Sequence, residues 1–301
     1  MNGVLVIDKP SGWTSFDVVA KVRGMSREKK IGHTGTLDPL ATGVLPLLLG
    51  RAVKAADLLP DTSKSYRADF KIGEKTDTGD VTGKVIESSS IRPSADKLLG
   101  AIAAHTGTIS QIPPMYSAVS VDGKRLYTLA RQGKTIDRES REIHIESLQL
   151  LDYSQKDGSG TLEISCSKGT YIRTLIEDIC AHAGTAGVMS SLRRLTACGF
   201  TEKDALSLEQ AEALVQNNEL ENNLRSTQSL FEEYPVVQVS PKQAVRFQNG
   251  GALDLDRIKN LPKSDKQPVR VCSYQGDFLG LAQLQLDKNI LKMLKLFKLR
   301  E

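Results

Sequence analysis

Cysteine is scarce in this chain of 301 residues, which contains only Cys166, Cys180, Cys198 and Cys272. No two of them form a C-x-x-C pair, and no paired histidine motif accompanies them, so the spacing of a zinc site is missing. Disulfide frameworks are typical of short secreted chains, whereas dispersed cysteines in a chain of this length are expected to be buried, reduced thiols. The cysteines therefore argue against both a zinc protein and a disulfide-stabilised secreted domain.

Long apolar runs are also missing. No stretch approaches the roughly 20 residues that a membrane-spanning helix needs. The first ten residues, MNGVLVIDKP, carry a short apolar run that Asp8 and Lys9 end, unlike a secretory signal. We therefore expect a cytoplasmic protein with no membrane segment. The net charge of +4 permits an anionic partner without requiring one, because a local basic patch matters more than the total.

The usual nucleotide-binding glycine motifs are absent from the glycine-containing segment at residues 32–50. No Gly-Lys-Ser/Thr follows its glycines, as a P-loop would require, and the G-x-G-x-x-G spacing of dinucleotide-binding proteins is not there either. Phosphate cradling and dinucleotide binding are thus disfavoured as the purpose of this segment.

The elements that are present predict an α+β fold. Strands are predicted from apolar or alternating segments at Val4–Ile7, Val44–Leu49, Tyr66–Ile72, Arg141–Leu151 and Thr161–Ser167. Helices are predicted after capping residues or along apolar faces, beginning near Thr14, Ser94, Tyr171 and Ser207, the last of them reaching Arg225. Because these elements show no βαβ order, we expect a mixed, largely antiparallel sheet. Pro46 argues for an edge or irregular strand.

A change in pattern near Phe231–Pro235 indicates a second domain. The segments PVVQVS and PVRVCSY after it resemble short strands, which suggests a small β-rich unit. We therefore divide the chain into a domain of residues 1–232 and a domain of residues 233–301.

Asp38 is the charged residue that stands out in the glycine-containing segment. Gly32, Gly35 and Gly43 allow backbone conformations closed to other residues, and Pro39 restricts Asp38 to extended geometry. A rigid loop holding one carboxylate suits a nucleophile or a general base. An aspartate that merely stabilises a turn is the alternative that the local pattern leaves open.

Three further segments carry candidate binding residues. Tyr66 could stack on a nucleobase and Lys64 could hold a phosphate, although an ordinary packed strand tyrosine fits equally. Arg173 lies in the first turn of a predicted helix, where a cation opposes the helix dipole, so a carboxylate such as Asp38 should compensate it, unless it simply points into solvent. Basic residues interleaved with Tyr116 and Tyr127 suggest an RNA surface or a solvated face, and they include Lys124, Arg125, Arg131, Lys134 and, further on, Arg193.

Five segments taken together carry a family resemblance. NGVLVIDKPSGWTS, GHTGTLDPLATGVLP, KSYRADFKIGEKTDTGDVTG, IPPMYSA and KGTYIRTLIEDI occur in this order and closely resemble the TruB family of tRNA pseudouridine synthases. The resemblance implies an α+β catalytic domain with a central cleft and a small PUA-like RNA-binding β-domain. It also implies conversion of uridine-55 in the T-loop of tRNA to pseudouridine without a cofactor or metal. The implied partner is the T-arm stem-loop of tRNA, and we expect a monomer.

The resemblance also assigns residues. It makes Asp38 the catalytic aspartate, Arg173 its partner and Tyr66 the residue that packs on the target base. The other implied positions are His33, which fills space vacated by displaced bases, the pocket-wall residues Tyr171 and Leu192, and Lys9 beside the cleft, which we expect to contact RNA. The chain departs from the family pattern at Leu195 and Cys198, where Thr and Gly are usual, so the pocket wall near Leu192 is expected to pack differently.

The implied reaction requires the target base to be flipped out of the folded loop. Asp38 must be ionised, and a neighbouring Arg173 favours that form. Attack at C1′, addition at C6 and removal of the 2′ proton all remain open. A non-catalytic RNA-binding or tRNA-folding chaperone is the alternative function. A metal-dependent phosphohydrolase using Asp38, Asp77 and Asp80 is disfavoured, because these residues lack a metal-ligand spacing and the last two are expected to stabilise a turn.

Overall fold

The computed structural model describes residues 1–121, 123–262 and 265–298. The strands of its larger body are β1 (Gly3–Lys9), β2 (Ile31–His33), β3 (Thr42–Leu49), β4 (Lys64–Ile72), β5 (Glu74–Thr76), β6 (Val85–Ser88), β7 (Gly107–Gln111), β8 (Ser120–Val121), β9 (Lys124–Arg125), β10 (Arg141–Ser154), β11 (Ser159–Cys166), β12 (Gly187–Ala197) and β13 (Phe200–Thr201). Its helices are α1 (Ser15–Ser26), α2 (Ala95–Ala104), α3 (Leu126–Arg131), α4 (Ile172–His182) and α5 (Leu208–Gln216).

A nine-stranded mixed sheet organises this body. Its main path runs β1-β3-β12-β4-β11-β10-β7, with β2 beside β3 and β13 beside β12. The β3–β12 pair is parallel, and the other pairs in this sheet are antiparallel. The predicted α+β class with a mixed, largely antiparallel sheet is therefore confirmed. None of the helices formed by the described residues combines the length and apolar character needed to cross a bilayer.

The helix boundaries follow mostly from local capping. Thr14 caps α1 in a reciprocal arrangement with Asp17, and Ser94 caps α2. The prediction of a helix from Ser207 to Arg225 was wrong, because α5 ends at Gln216 and the chain turns through Asn218, whose φ of 60° is left-handed. Polar residues that are compatible with a helix were mistaken for its continuation.

Of the two alternatives predicted around Pro46, the edge strand was wrong, because β3 is an interior strand, whereas its pairing is irregular at this residue. The Pro46 carbonyl accepts a hydrogen bond from the Thr34 N–H at 3.2 Å. Because the nitrogen and the carbonyl of one residue point to the same side of an antiparallel strand, the Pro46 nitrogen, which carries no hydrogen, faces away from β1. On that side β12 pairs only with Thr42 and Gly43, and β2 pairs only from Leu47 onwards. Pro46 falls between these two pairings and interrupts neither of them.

Strand β12 lies near the middle of the sheet, although the sequence analysis predicted no strand there and took Arg193 as part of a basic surface. Leu192 and Arg194 alternate inward along it, and Arg194 is fully buried. A charged residue at a core position hides the usual apolar alternation of a strand.

The C-terminal part forms a second, smaller sheet. Its strands are β14 (Val236–Val239), β15 (Leu253–Asp254), β16 (Pro268–Ser273), β17 (Phe278–Gln285) and β18 (Ile290–Leu296), and its helix is α6 (Pro241–Gln248). The strand order is β14-β16-β17-β18-β15. The predicted β-rich C-terminal domain is thus confirmed, whereas the boundary between residues 232 and 233 stays a prediction.

An aromatic cluster joins the small sheet to the larger body. The buried Phe231 ring lies 6.0 Å from the Phe278 ring and 5.6 Å from the Phe297 ring, measured between centroids. The same apolar cluster includes Val4 of β1 and Leu48 of β3. Burial of these large rings holds the C-terminal sheet against the edge of the main sheet that carries β1.

Candidate active site

A cavity of about 270 Å³ opens where β4, β12, the start of α4 and two loops converge. Charged, aromatic and apolar side chains all reach it. Its lining includes Asp38, Lys64, Tyr66, Ser117, Tyr171, Arg173 and Leu192. The structure therefore brings together most of the residues that the sequence pointed to, from segments far apart in the chain.

The backbone around Asp38 is fixed on both sides. Ser15 Oγ accepts a hydrogen bond from the Leu37 N–H at 2.8 Å, and the Pro39 carbonyl accepts one from the Gly12 N–H at 2.8 Å. The Asp38 carbonyl accepts a further bond from the Ala41 N–H at 3.0 Å. The loop is thus rigid, as its glycines and proline suggested, while the Asp38 side chain remains 35% exposed and accessible to a ligand.

Arg173 holds the Asp38 carboxylate from inside the protein. Its Nε lies 2.9 Å from Asp38 Oδ2, and the guanidinium is buried. Nη2 donates to the Tyr116 carbonyl at 2.8 Å, and Nη1 donates to the Thr78 carbonyl. With all three nitrogens engaged, the cation has one orientation, and it holds the Asp38 carboxylate in a fixed position. The carboxylate also compensates the cation at the start of α4.

The start of α4 is clamped by Gln111, a residue that the sequence analysis did not single out. The Gln111 side chain accepts a hydrogen bond from the Tyr171 N–H at 2.8 Å and donates one to the Tyr171 carbonyl at 3.1 Å. Gln111 is buried at the end of β7. This clamp positions both Tyr171 and Arg173 at the cavity.

Tyr66 and Leu192 are neighbouring strand residues that line the cavity. Tyr66 is buried on β4, and burial raises the pKa of its phenol to about 12. It is therefore a neutral ring at physiological pH. Leu192 is buried on β12, opposite Ala68 of β4, and adds apolar surface. Both side chains can contact a flat, uncharged group inside the cavity.

Arg194 is a functional residue that the sequence analysis missed. It is fully buried, its Nε donates to the Val44 carbonyl at 2.7 Å, and its Nη2 donates to the Gly35 carbonyl at 3.2 Å. Of the acidic side chains that the structure describes, none lies within 4.0 Å of it as an ion-pair partner. Its backbone also explains Gly43, where a Cβ would lie 2.2 Å from the Arg194 carbonyl oxygen. Arg194 thus holds the segment around Asp38 through hydrogen bonds to carbonyls before and after it.

Two polar side chains near Arg194 have shifted pKa values. Burial, followed by the nearby Arg194 charge, lowers the pKa of His33 below its usual 6.5. The same two causes lower the pKa of the Lys64 ammonium. His33 is therefore a neutral imidazole at pH 7, and Lys64 faces the cavity beside Gly35.

Some of the predicted RNA-contacting residues are exposed, and others are bonded to the protein itself. Lys124 and Arg125 are exposed on the β8–β9 hairpin. Lys9 is fully buried and donates to the carbonyls of Pro10, Trp13 and Pro39 at 2.9, 2.6 and 3.3 Å, so its ammonium already has protein partners, and its expected RNA contact stays a prediction. Its hydrogen bonds stiffen the two loops on either side of it.

Arg193 also has local partners rather than a free guanidinium. Its Nη2 lies 2.9 Å from Asp8 Oδ2, and its Nε contacts Glu202. These carboxylates satisfy donors that an RNA phosphate would otherwise use, so the expected RNA contact of Arg193 stays a prediction.

Asp77 and Asp80 stabilise a turn, as expected. Asp77 Oδ1 accepts from the Lys84 N–H at 2.8 Å, and Asp80 Oδ1 accepts from the Thr82 N–H at 3.0 Å. Across residues 1–121, 123–262 and 265–298, no cluster of three or more His, Cys, Asp or Glu side chains is arranged to hold a metal ion.

The departure at Cys198 has a structural counterpart. Cys198 has a φ of 54°, in the left-handed region that glycine adopts more readily. It lies in the turn between β12 and β13, and Leu192 still lines the cavity. The substitution therefore strains a turn beyond the pocket wall without displacing Leu192 from it.

Comparison with known proteins agrees with this arrangement. Residues 23–172 match the family model for the TruB family pseudouridylate synthase N-terminal domain, and residues 235–291 match that for the pseudouridine synthase II TruB C-terminal domain. The tRNA pseudouridine synthase B of Clostridium acetobutylicum is 39% identical over 285 residues, covering 94% of this chain and 96% of the relative. That of Levilactobacillus brevis is 38% identical and covers 99% of both chains.

The fold is also found in solved structures. A chain in the crystal structure of a Cbf5-Nop10-Gar1 complex superposes with a TM-score of 0.75 at 24% identity, covering 99% of this chain and 85% of that one. The family models and the close relatives place the chain among the pseudouridine synthases, which are isomerases. Within that class it belongs to the TruB family.

The lowered pKa of His33 predicts a pH-dependent effect on stability. The unfolded chain binds the imidazole proton more tightly than the folded protein, so this residue makes the wild type less stable as the pH falls below about 6.5. We expect His33→Asn to gain stability relative to the wild type between pH 7 and pH 5 in urea denaturation. A stability difference that is constant over this range would contradict a lowered pKa of His33 in the folded protein.

Proposed function

We propose that this protein converts uridine-55 in the T-loop of tRNA to pseudouridine. The observation that carries the proposal is the Asp38 carboxylate, held by a buried arginine at 2.9 Å beside a neutral tyrosine ring in an accessible pocket. The relatives named tRNA pseudouridine synthase B support the substrate class. The T-arm stem-loop is the part of tRNA that we propose is bound.

The reaction breaks the bond from C1′ to N1 and forms a bond from C1′ to C5. The product is an isomer of the substrate, with the C5 hydrogen lost to solvent and a proton gained at N1. The target base must leave its stack to enter the pocket, which costs a few kcal/mol that contacts with the protein offset. Tyr66 and Leu192 supply apolar contacts for the detached uracil while the ring rotates in the pocket.

Asp38 is the group that we propose to act on the nucleotide. Attack at C1′, addition at C6 and removal of the 2′ proton each use a carboxylate oxygen of Asp38, and the buried Arg173 orients that carboxylate. His33 is a half-buried, neutral imidazole outside the lining of the cavity, so we propose that it contacts displaced bases rather than delivering a proton in the pocket.

The RNA surface that we propose surrounds the pocket. Lys64 faces the cavity, where its ammonium can bind the phosphate of the flipped nucleotide. Lys124 and Arg125 lie on the exposed β8–β9 hairpin, which follows the loop that carries Ser117. We further propose that residues 233–301 form a PUA-like RNA-binding domain and that the enzyme acts as a cytoplasmic monomer.

The central test is Asp38→Asn with a T-arm stem-loop that carries tritium at C5 of its uracils. Formation of the new C5 bond must release that tritium to water. We expect the wild type to release one equivalent in the presence of EDTA, and the variant to be slower by about a thousandfold or more, because the amide cannot replace the carboxylate.

The two proteins should bind the RNA alike, which a filter-binding control checks. Tight binding without tritium release by the wild type, repeated with intact tRNA, would overturn the proposed isomerase and favour an RNA-binding protein.

The hairpin cations predict a salt-dependent binding effect. Lys124→Gln and Arg125→Gln should each weaken tRNA binding and reduce the slope of log K against log salt by about 0.7–0.9, because one phosphate contact is lost. Lys21→Gln on α1 is the matched control, since its ammonium is engaged by Glu212 at 2.9 Å and does not line the cavity, so its loss should leave the slope unchanged. An unchanged slope in both hairpin variants would contradict the proposed RNA surface.

A further inference from the structure

Ser117 is a buried hydroxyl in the active-site cavity to which the preceding sections give no role. Its side chain is 5% exposed, and its Oγ has no hydrogen-bond partner among the residues that the structure describes. Ser117 lines the cavity together with Asp38, Tyr66 and Leu192. Buried polar groups are almost always paired, so an unpaired hydroxyl at a binding cavity calls for a partner from the ligand.

The loop that carries Ser117 is held in place from both sides. The carbonyl of Tyr116, the preceding residue, accepts a hydrogen bond from Arg173 Nη2 at 2.8 Å. The Ser117 carbonyl accepts one from the Tyr127 N–H at 3.1 Å. The same guanidinium therefore fixes both Asp38 and the backbone of Ser117, so the hydroxyl and the carboxylate have a defined geometry relative to each other.

The surroundings of Ser117 determine which part of a uracil it can pair with. Tyr66 and Leu192 offer ring and aliphatic surface, which suits the faces of the base rather than its edge. A free uracil carries O2, N3–H and O4 along the edge opposite C6, and these polar atoms lose their partners when the base leaves the RNA. A serine hydroxyl can accept from N3–H and donate to a neighbouring carbonyl.

The chemistry of the isomerisation favours N3 within that edge. Exchange of N1 for C5 at the sugar amounts to a half-turn of the ring about the line through N3 and C6. O2 and O4 exchange places in this turn, whereas N3–H returns to its original position. A hydrogen bond to N3 can therefore persist from the uridine to the pseudouridine, and it would keep the detached base centred in the pocket.

We propose that the Ser117 hydroxyl binds the flipped uracil at N3 and holds the ring while it turns over. This inference rests on the proposed pseudouridine synthase function and adds a substrate-binding residue to it. Ser117 pairs with the edge of the base, Tyr66 and Leu192 contact its faces, and Asp38 acts on the nucleotide.

The test combines Ser117→Ala with a substrate altered at the same contact. Single-turnover tritium release is measured with a T-arm stem-loop that carries uridine or N3-methyluridine at the target position. We expect Ser117→Ala to slow the uridine substrate about tenfold with an unchanged Kd for the RNA, as loss of one hydrogen bond predicts. The N3-methyl group should slow the wild type strongly, and its penalty should be at least about tenfold smaller in the variant.

The matched control is Ser110→Ala, which removes an exposed hydroxyl on β7 and should behave as the wild type with both substrates. An N3-methyl penalty of the same size in Ser117→Ala and in the wild type would overturn the proposal, because the two changes would then act at separate places. A wild-type rate for Ser117→Ala with uridine would overturn it as well. Failure of the wild type to release tritium from the uridine substrate would instead refute the proposed function.

Discussion

One guanidinium joins the segments that form the active site. Arg173 on α4 contacts the Asp38 side chain, the carbonyl of Tyr116 before Ser117 and the carbonyl of Thr78 in the turn after β5. Because these three segments are distant in sequence, the cavity exists only when the sheet and α4 are assembled. A buried cation with three fixed donors also cannot reorient without losing several hydrogen bonds, so it fixes the position of the carboxylate.

A second buried cation, Arg194, holds the same loop through its backbone carbonyls. Arg194 lies in the interior of the main sheet and donates to the carbonyls of Gly35 and Val44, before and after Asp38. Burial, and secondarily the positive charge of Arg194, lowers the pKa values of His33 and Lys64. Two buried arginines therefore hold the segment around Asp38: Arg194 through backbone carbonyls and Arg173 through the carboxylate. This arrangement gives a rigid, electropositive pocket suited to an anionic backbone and a neutral base.

Local sequence patterns were sufficient for much of the fold. Alternation located β4, β10 and β11, capping residues located α1 and α2, and the cation in the first turn of α4 together with the family resemblance pointed to Asp38 as its partner. The patterns failed where contacts between distant segments determine whether a residue is buried and what it binds. Arg194 looks like a surface residue in sequence, because only the assembled fold provides the carbonyls of Val44 and Gly35 that pair with its Nε and Nη2. Gln111 and Ser117 have no local signal either, since their roles come from α4 and from the cavity.

The account depends most directly on Arg173 as the residue that positions Asp38. Arg173→Lys retains the positive charge but cannot reach Asp38, Tyr116 and Thr78 together. We expect its single-turnover rate of tritium release to fall by about a hundredfold while the Kd for tRNA stays the same, because a displaced carboxylate reacts poorly. A rate within threefold of the wild type would show that charge alone suffices, and it would contradict the proposed positioning of Asp38 by the guanidinium.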